Sequence, residues 1–307
     1  MIRRVSVVAP AYNEQECIKI FLDKSVKALQ DNGLKGEILI VNDGSTDKTA
    51  EILQVYAKKQ KLLRVITNRK NEGLTTAAWK GFKQAKEDVI VFLPSDLESD
   101  PEEDIPLLLK PLEEGYDVAV GRRYGGKVGI IKKITSFIFN LLARVVFNIP
   151  LHDLTWVKAF KKEAINGIEL RSEWHRYLVV FMADKGYKIK EVRTRFYPRK
   201  LGRSKFGRFG LMRLPSGFFD MIAIKFLQSF PKRPMFVFGS VGAILLVLGF
   251  IGGVYLAYVK ITTGVLSPRM PLIFLVILLI LSGIQLFALG FLAEFLVTIH
   301  DSINKRK

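Results

Sequence analysis

Val5-Ser6-Val7-Val8-Ala9-Pro10-Ala11-Tyr12-Asn13-Glu14 stands near the start of the chain, and Ile38-Leu39-Ile40-Val41-Asn42-Asp43-Gly44-Ser45-Thr46-Asp47 follows one helix-length later. Each is an apolar, β-branched run that stops abruptly in polar, turn-forming residues. Val89-Ile90-Val91-Phe92-Leu93 repeats the pattern and stops in Pro94-Ser95-Asp96-Leu97-Glu98-Ser99-Asp100. Read with Leu63 to Thr67 and Val118 to Val120, these runs predict strands separated by amphipathic helices that begin near Glu14, Asp47, Leu74 and Glu102. Ser45 or Thr46 is the expected cap of the second helix, and Asp100-Pro101 opens the fourth. Strands alternating with helices predict an α/β domain with a mostly parallel sheet. Ligands of such sheets bind beyond the carboxyl ends of the strands, where the three polar stretches fall.

Several classes are excluded by what the strand ends lack. No G-x-G-x-x-G follows the first strand and no G-x-x-x-x-G-K-[ST] occurs, which argues against a dinucleotide-binding domain and a P-loop NTPase. The N-terminal residues run straight into a strand pattern and do not read as a signal peptide. Cys17 is the only cysteine, so no intrachain disulfide is expected and the residue reads as core.

The C-terminal part is of another kind. Met235 to Val259 and Met270 to Ala293 carry no charged residue, and each matches the roughly 20 apolar residues a helix needs to cross a bilayer. The net charge is +18, which calls for an anionic partner. Arg193, Arg195, Arg199, Lys200, Arg203, Lys205, Arg208 and Arg213 succeed one another without an acidic residue, and Lys225, Lys232 and Arg233 carry the band to the first apolar run. That placement points to a membrane and phosphorylated substrates. Nucleic acid is not expected, since no zinc-finger spacing or aromatic RNA-binding motif is present. Positive charge before the first run and in Lys305-Arg306-Lys307 predicts an integral membrane protein whose termini and catalytic domain are cytoplasmic. The expected division is 1–209 for the catalytic domain, 210–234 for a juxtamembrane segment, 235–299 for two transmembrane helices and 300–307 for a basic tail. Gly129 to Phe147 is a further helix, suited either to the headgroup layer or to packing on the domain.

P-A-Y-N-E at 10–14, N-D-G-S-T-D at 42–47, N-E-G at 71–73 and S-D-L-E at 95–98 together resemble the family 2 glycosyltransferases of GT-A fold. Within that family the chain looks like the polyprenyl-phosphate sugar transferases with two C-terminal membrane helices. The resemblance implies transfer of a sugar, with inversion, from a nucleotide-sugar (UDP-glucose or GDP-mannose class) to a dolichyl or undecaprenyl phosphate. It makes Asp43 the residue that reads the base and places Pro10, Tyr12 and Glu14 in the nucleotide pocket. The family's D-x-D motif implies a divalent cation, Mg²⁺ or Mn²⁺. Here Pro94 replaces the first aspartate, leaving Asp96 and Glu98 as the expected ligands, with Asp96 counted also among the catalytic residues.

The same resemblance assigns Asp153 to the reacting carbon, as base or as orienting group. Arg123, Lys132 and Ser136 are implied to bind the acceptor phosphate, as are Arg199, Ser204 and Lys205 of an R-x-x-G-x-S-K motif. Glu173-Trp174-His175-Arg176-Tyr177 resembles a segment of two-span relatives, and no chemistry is assigned to it. Glycines of the apolar runs, Gly239, Gly242, Gly249, Gly252 and Gly253, would permit a homo-oligomer packed through the helices. Because of Pro94, a non-catalytic membrane protein that binds nucleotide-sugar or lipid phosphate is the rival reading, as is a transferase to another membrane acceptor.

Overall fold

A strand buried on both faces belongs in the middle of a sheet covered by helices on either side. β1 (Arg4–Ala11) is such a strand, buried from Val5 to its end. The computed structural model describes residues 2–125, 130–154, 157–199, 213–229, 234–264 and 269–304. After β1 come α1 (Ile18–Asp31), β2 (Lys35–Asn42), α2 (Thr49–Lys59), β3 (Leu63–Thr67), α3 (Leu74–Gln84), β4 (Val89–Phe92), α4 (Pro101–Glu113) and β5 (Val118–Tyr124). Then follow α5 (Ile130–Phe147), β6 (Lys158–Lys161), α6 (Leu178–Asp184), β7 (Ile189–Arg195), α7 (Arg213–Ser229), α8 (Pro234–Thr263) and α9 (Met270–Asn304).

Among the described residues the strands form one sheet in the order β3-β2-β1-β4-β6-β5-β7. All neighbours are parallel except β6, which runs antiparallel to β4 and β5. The chain builds from β1 outward to β3 and then returns to the other side of β1 as β4. That reversal opens a crevice at the carboxyl ends of β1 and β4. Because β6 is reversed, the turn that precedes it arrives at the same end of the sheet. One face packs on α1 and α4 through Val7, Ala9, Val91 and Ala159 against Ile18, Phe21, Ile105 and Leu108. On the other face Phe82 of α3 meets Phe92 and Phe160 edge-on, at 5.4 and 5.2 Å.

Two helix starts differ from expectation, for one reason. The loops after β1 and β2 bind each other, so their polar residues do not cap helices. Ser45 Oγ accepts from the Asn13 amide at 3.0 Å and Thr46 Oγ1 from Asn13 Nδ2 at 3.2 Å. α2 therefore starts later, at Thr49, whose amide donates to Asp47 Oδ1 at 2.9 Å. Asn13 takes a left-handed conformation, φ 52°, and α1 starts only at Ile18. The cap of α4 is as expected, with Asp100 Oδ1 accepting from the Glu102 amide at 3.0 Å.

Contacts divide the chain into two units, Met1–Met221 and Ile222–Lys307. In the first, α5 packs on the domain with one face and leaves an apolar face exposed. Ala143 and Phe147 are buried, while Ile138, Leu141, Leu142 and Val145 are exposed. The first half of α7 packs beside it: a Cβ on Gly217 would lie 3.1 Å from the Phe139 ring. Phe218 and Phe219 are exposed there as well. In the second unit, α8 and α9 each hold a stretch long and apolar enough to cross a membrane. They form a tight hairpin. A Cβ on Gly242 would meet the Gly283 carbonyl at 2.8 Å, and one on Gly249 would meet Ile280 at 2.7 Å. Gly242, Gly249 and Gly252 thus serve close approach within the hairpin, whereas a Cβ on Gly239 would first meet Met235 of its own helix and Gly253 has nothing nearer than 3.9 Å. Glu294 of α9 accepts from the Met235 amide at 3.1 Å and so satisfies a first-turn donor of α8.

Candidate active site

Asp43 directly follows β2 and is 3% exposed. Its Oδ1 accepts from Asn68 Nδ2 at 2.8 Å and the Glu72 amide at 2.9 Å, and its Oδ2 accepts from the Gly73 amide at 2.9 Å. A carboxylate offers about four acceptor positions. Asp43 thus spends most of its capacity holding the 71–73 loop, a task the strand-end reading did not foresee. Gly44, at φ +69°, lets the two loops touch: a Cβ there would fall 2.5 Å from the Lys70 carbonyl carbon.

Across the crevice, Ser95 Oγ donates to the Pro10 carbonyl at 2.8 Å and fastens the β4 loop to the β1 loop. Leu97 is held at φ 59°, a strained conformation for a leucine, and it sets Asp96 and Glu98 on either side. Both carboxylates turn to one guanidinium. Arg199 donates to Asp96 Oδ2, its Nε lies 3.3 Å from Glu98 Oε1, and its terminal nitrogen lies 3.8 Å from Glu14 Oε1. Burial works against the charge of Arg199, but Asp96, Glu14 and Glu98 outweigh it and raise its pKa. The same carboxylates act on Cys17, whose thiol is pushed up to about 11, first by burial and then by Glu14 and Asp96. It is inert core, as expected. Arg199, expected at the acceptor phosphate, is therefore placed among the expected metal and nucleotide residues. Among the described residues no three of His, Cys, Asp and Glu are gathered so as to hold a metal ion.

Asp153 stands in the turn before β6, with its side chain 7% exposed. Arg123, on the end of β5, grips it as a fork: Nε to Oδ2 at 2.6 Å and a terminal nitrogen to Oδ1 at 3.2 Å. Glu191 of β7 holds the turn's backbone, with Oε1 accepting from the amides of His152 at 2.5 Å and Asp153 at 3.2 Å. Lys158 Nζ donates to the Leu154 carbonyl of the same turn at 3.5 Å. The Arg123 and Arg199 sites share one end of the sheet. Backbone bonds from Phe196 to Tyr124 and from Tyr197 to Glu98, both 2.9 Å, join the ends of β5, β7 and the β4 loop. Glu191 and Lys158 were not singled out from the sequence. Their types and spacing are ordinary, and only the strand pairing brings them to Asp153.

Ser136 lies on α5 and accepts from Asn140 Nδ2 at 3.4 Å. The side chain of Lys132, together with Ser204, Lys205 and Trp156, lies outside the described residues. The W-H-R-Y segment is a brace. His175 Nδ1 pairs with Thr75 Oγ1 at 2.7 Å, Trp174 Nε1 donates to Asp220 at 3.3 Å and the Tyr177 hydroxyl donates to the Gly217 carbonyl at 2.7 Å. It ties α3 to α7.

Comparison with known proteins adds three findings. Residues 6–166 match the family described as Glycosyl transferase family 2. The undecaprenyl-phosphate 4-deoxy-4-formamido-L-arabinose transferase of Photorhabdus laumondii is 29% identical over 99% of this chain and 92% of its own. The dodecaprenyl-phosphate galacturonate synthase of Rhizobium johnstonii is 29% identical over 94% of this chain and 86% of its own. Among solved structures, glucosyl-3-phosphoglycerate synthase of Mycobacterium tuberculosis, in complex with Mn²⁺, UDP and glucosyl-3-phosphoglycerate, aligns with a TM-score of 0.55 and 23% identity. It covers 74% of this chain and 80% of that one, and establishes likeness of fold.

Proposed function

The chain belongs to glycosyl transferase family 2, and on that footing we propose that it transfers a sugar from a nucleotide-sugar to a polyprenyl phosphate, with inversion. One observation carries the reading: two charged clusters of opposite appetite lie at the same end of the sheet. Around Arg199 the described residues gather three carboxylates, Glu14, Asp96 and Glu98, whose oxygens suit a cation. Around Asp153 one carboxylate is flanked by Arg123 and Lys158, which suits an incoming anion. The named relatives, transferases and synthases of polyprenyl-phosphate sugars along nearly their whole length, support the same chemistry.

In this reading the donor lies over the carboxyl ends of β1, β2 and β4. Pro10, Tyr12, Glu14 and Asp43 bound the nucleotide pocket, and Asp43 keeps about one acceptor position for a base N–H. Glu14, Asp96 and Glu98 are hard oxygen donors suited to Mg²⁺ or Mn²⁺, and Asp96 and Glu98 would hold the ion once Arg199 withdraws. A bound divalent ion neutralises charge that develops on the leaving diphosphate. An acceptor phosphate oxygen attacks the anomeric carbon as the bond to the nucleoside diphosphate breaks, and that electron pair leaves with the diphosphate. The acceptor phosphate is anionic near neutral pH, its second pKa being about 6, so Asp153 acts chiefly by placing Arg123 and the nucleophile.

Membrane residence is part of the proposal. Two spanning helices, with charge favouring cytoplasmic ends, keep the enzyme at the bilayer. The exposed Ile138, Leu141, Leu142, Val145, Phe218 and Phe219 of the catalytic unit give it an apolar face suited to the headgroup layer. The test is a donor screen. Purified full-length protein with undecaprenyl or dolichyl phosphate is offered labelled UDP-glucose, UDP-N-acetylglucosamine, UDP-galactose, UDP-galacturonate and GDP-mannose. Label moving into the lipid extract from one of them is expected; no transfer from any donor to either lipid would overturn the reading.

A further inference from the structure

Lys158 stands where the alternation of β6 calls for an apolar side chain. It is paired in register with Phe92 of β4 and Val120 of β5, and it is 1% exposed. Its ammonium has three N–H donors. They find one long hydrogen bond, to the Leu154 carbonyl at 3.5 Å, and the face of the Phe92 ring, 5.6 Å from its centroid. No carboxylate of the described residues lies within ion-pair distance of it. A buried cation so poorly served costs stability, and an apolar residue of the same volume would not. The one group it holds is the Leu154 carbonyl, next to Asp153, in the same turn whose amides Glu191 holds.

We infer that Lys158 is a positioning residue for Asp153: it anchors the 152–154 turn through the Leu154 carbonyl while Arg123 and Glu191 hold its other polar groups, and it does so at the expense of fold stability. Burial draws the pKa of the lysine down to about 8, and Asp153 is the carboxylate that opposes this. The inference rests on the transfer reading proposed above. A purely structural lysine would behave in the opposite way, since its loss would weaken the fold and lower activity only through misfolding.

The test uses Lys158→Met, which keeps the volume and removes the charge, in the full-length protein. The variant is expected to melt at or above the wild-type temperature. Its kcat should fall by about 10-fold or more while KM for the nucleotide-sugar stays within about 2-fold, the pattern of a lost transition-state contribution. Because Lys158 acts through Asp153, Lys158→Met in an Asp153→Asn background should change kcat by less than about 2-fold, the non-additivity of residues that work as a unit. A lower melting temperature, wild-type turnover, or effects that multiply in the double variant would each overturn the inference. Should the wild type itself transfer no sugar, the functional reading fails, while the melting comparison still decides whether Lys158 is a structural cation.

Discussion

The two arginine–carboxylate clusters look alike on paper and differ in balance. Around Arg199, the loops after β1 and β4 bring three carboxylates to one guanidinium. Around Arg123 the described residues pair one to one, as a fork in a turn that a buried ammonium also reaches. A guanidinium can satisfy one carboxylate bidentately but not three. Among the described residues, therefore, the first cluster gathers more carboxylate than one guanidinium can satisfy and the second does not. Two sites with the same residue types can thus prepare for a cation in one case and an anion in the other. What separates them is stoichiometry set by the crevice between β1 and β4.

The largest effect should come from breaking the first cluster. Asp96→Ala removes the carboxylate closest to Arg199 and a proposed ligand of the divalent ion, and turnover should fall by about 10³-fold or more, the scale of losing a principal electrostatic stabiliser. EDTA should abolish wild-type activity, and Glu98→Gln should weaken metal affinity while leaving an oxygen in place. Full turnover of Asp96→Ala in metal-free buffer would show that cationic side chains alone stabilise the leaving diphosphate. Next comes the second cluster. Asp153→Asn should lower kcat by roughly 10²-fold, in the range of a positioned base or orienting group, with nucleotide affinity nearly intact. Loss of nucleotide binding in that variant would mean that the two clusters are one site with one task.

A smaller effect sharpens the contrast directly. If Arg199 stands where a divalent cation belongs, then Arg199→Ala should bind Mn²⁺ more tightly than the wild type in the absence of nucleotide. About 10-fold is expected, the equivalent of about 1.4 kcal/mol of relieved competition. Titration of free Mn²⁺ by electron paramagnetic resonance reads this without any turnover. Equal affinities would mean that guanidinium and metal do not compete for these carboxylates.

Much of this was legible beforehand. The five strands that end or precede the polar motifs were readable because each is an apolar run cut off by turn-forming residues, and four strand-end motifs located the site. β7 was not, because Ile189–Arg195 is an edge strand rich in charge, in which only Thr194 is buried. Its arginines read as part of a basic band. β6 has only four residues, with a lysine at each end. The partners of Asp43 and Arg199 were hidden for another reason. Asp96 and Arg199 are 103 residues apart, and only the folded β4 and β7 ends bring them together. Resemblance named Arg199 as a phosphate ligand, but the packing around it is a property of this sheet and not of the motif.

The smallest prediction supplies a counterpart to the buried lysine. Asp104, on α4, is 1% exposed, and both of its carboxylate oxygens lack a hydrogen-bond partner. Burial pushes its pKa up from 3.8 to about 8, with Glu103 and Asp100 adding to the shift. The folded protein thus holds this proton up to about pH 8 while the unfolded chain releases it near pH 4. Unfolded protein binds fewer protons across that window, so the contribution of Asp104 to stability is whole below it and is lost progressively as pH rises through it. Asp104→Asn has no proton to lose. It should melt near the wild-type temperature at pH 5 and above it at pH 8, by about 1–3 kcal/mol, the scale of an unsatisfied buried polar group, or several degrees for a unit of this size. Activity should be unchanged, since among the described residues no hydrogen bond or ion pair joins the Asp104 side chain to either arginine cluster. That sets it apart from Lys158, whose replacement should raise stability and lower turnover together. A melting difference that stays flat between pH 5 and pH 8 would show that Asp104 is already ionised in the fold, and that its buried oxygens are satisfied in solution.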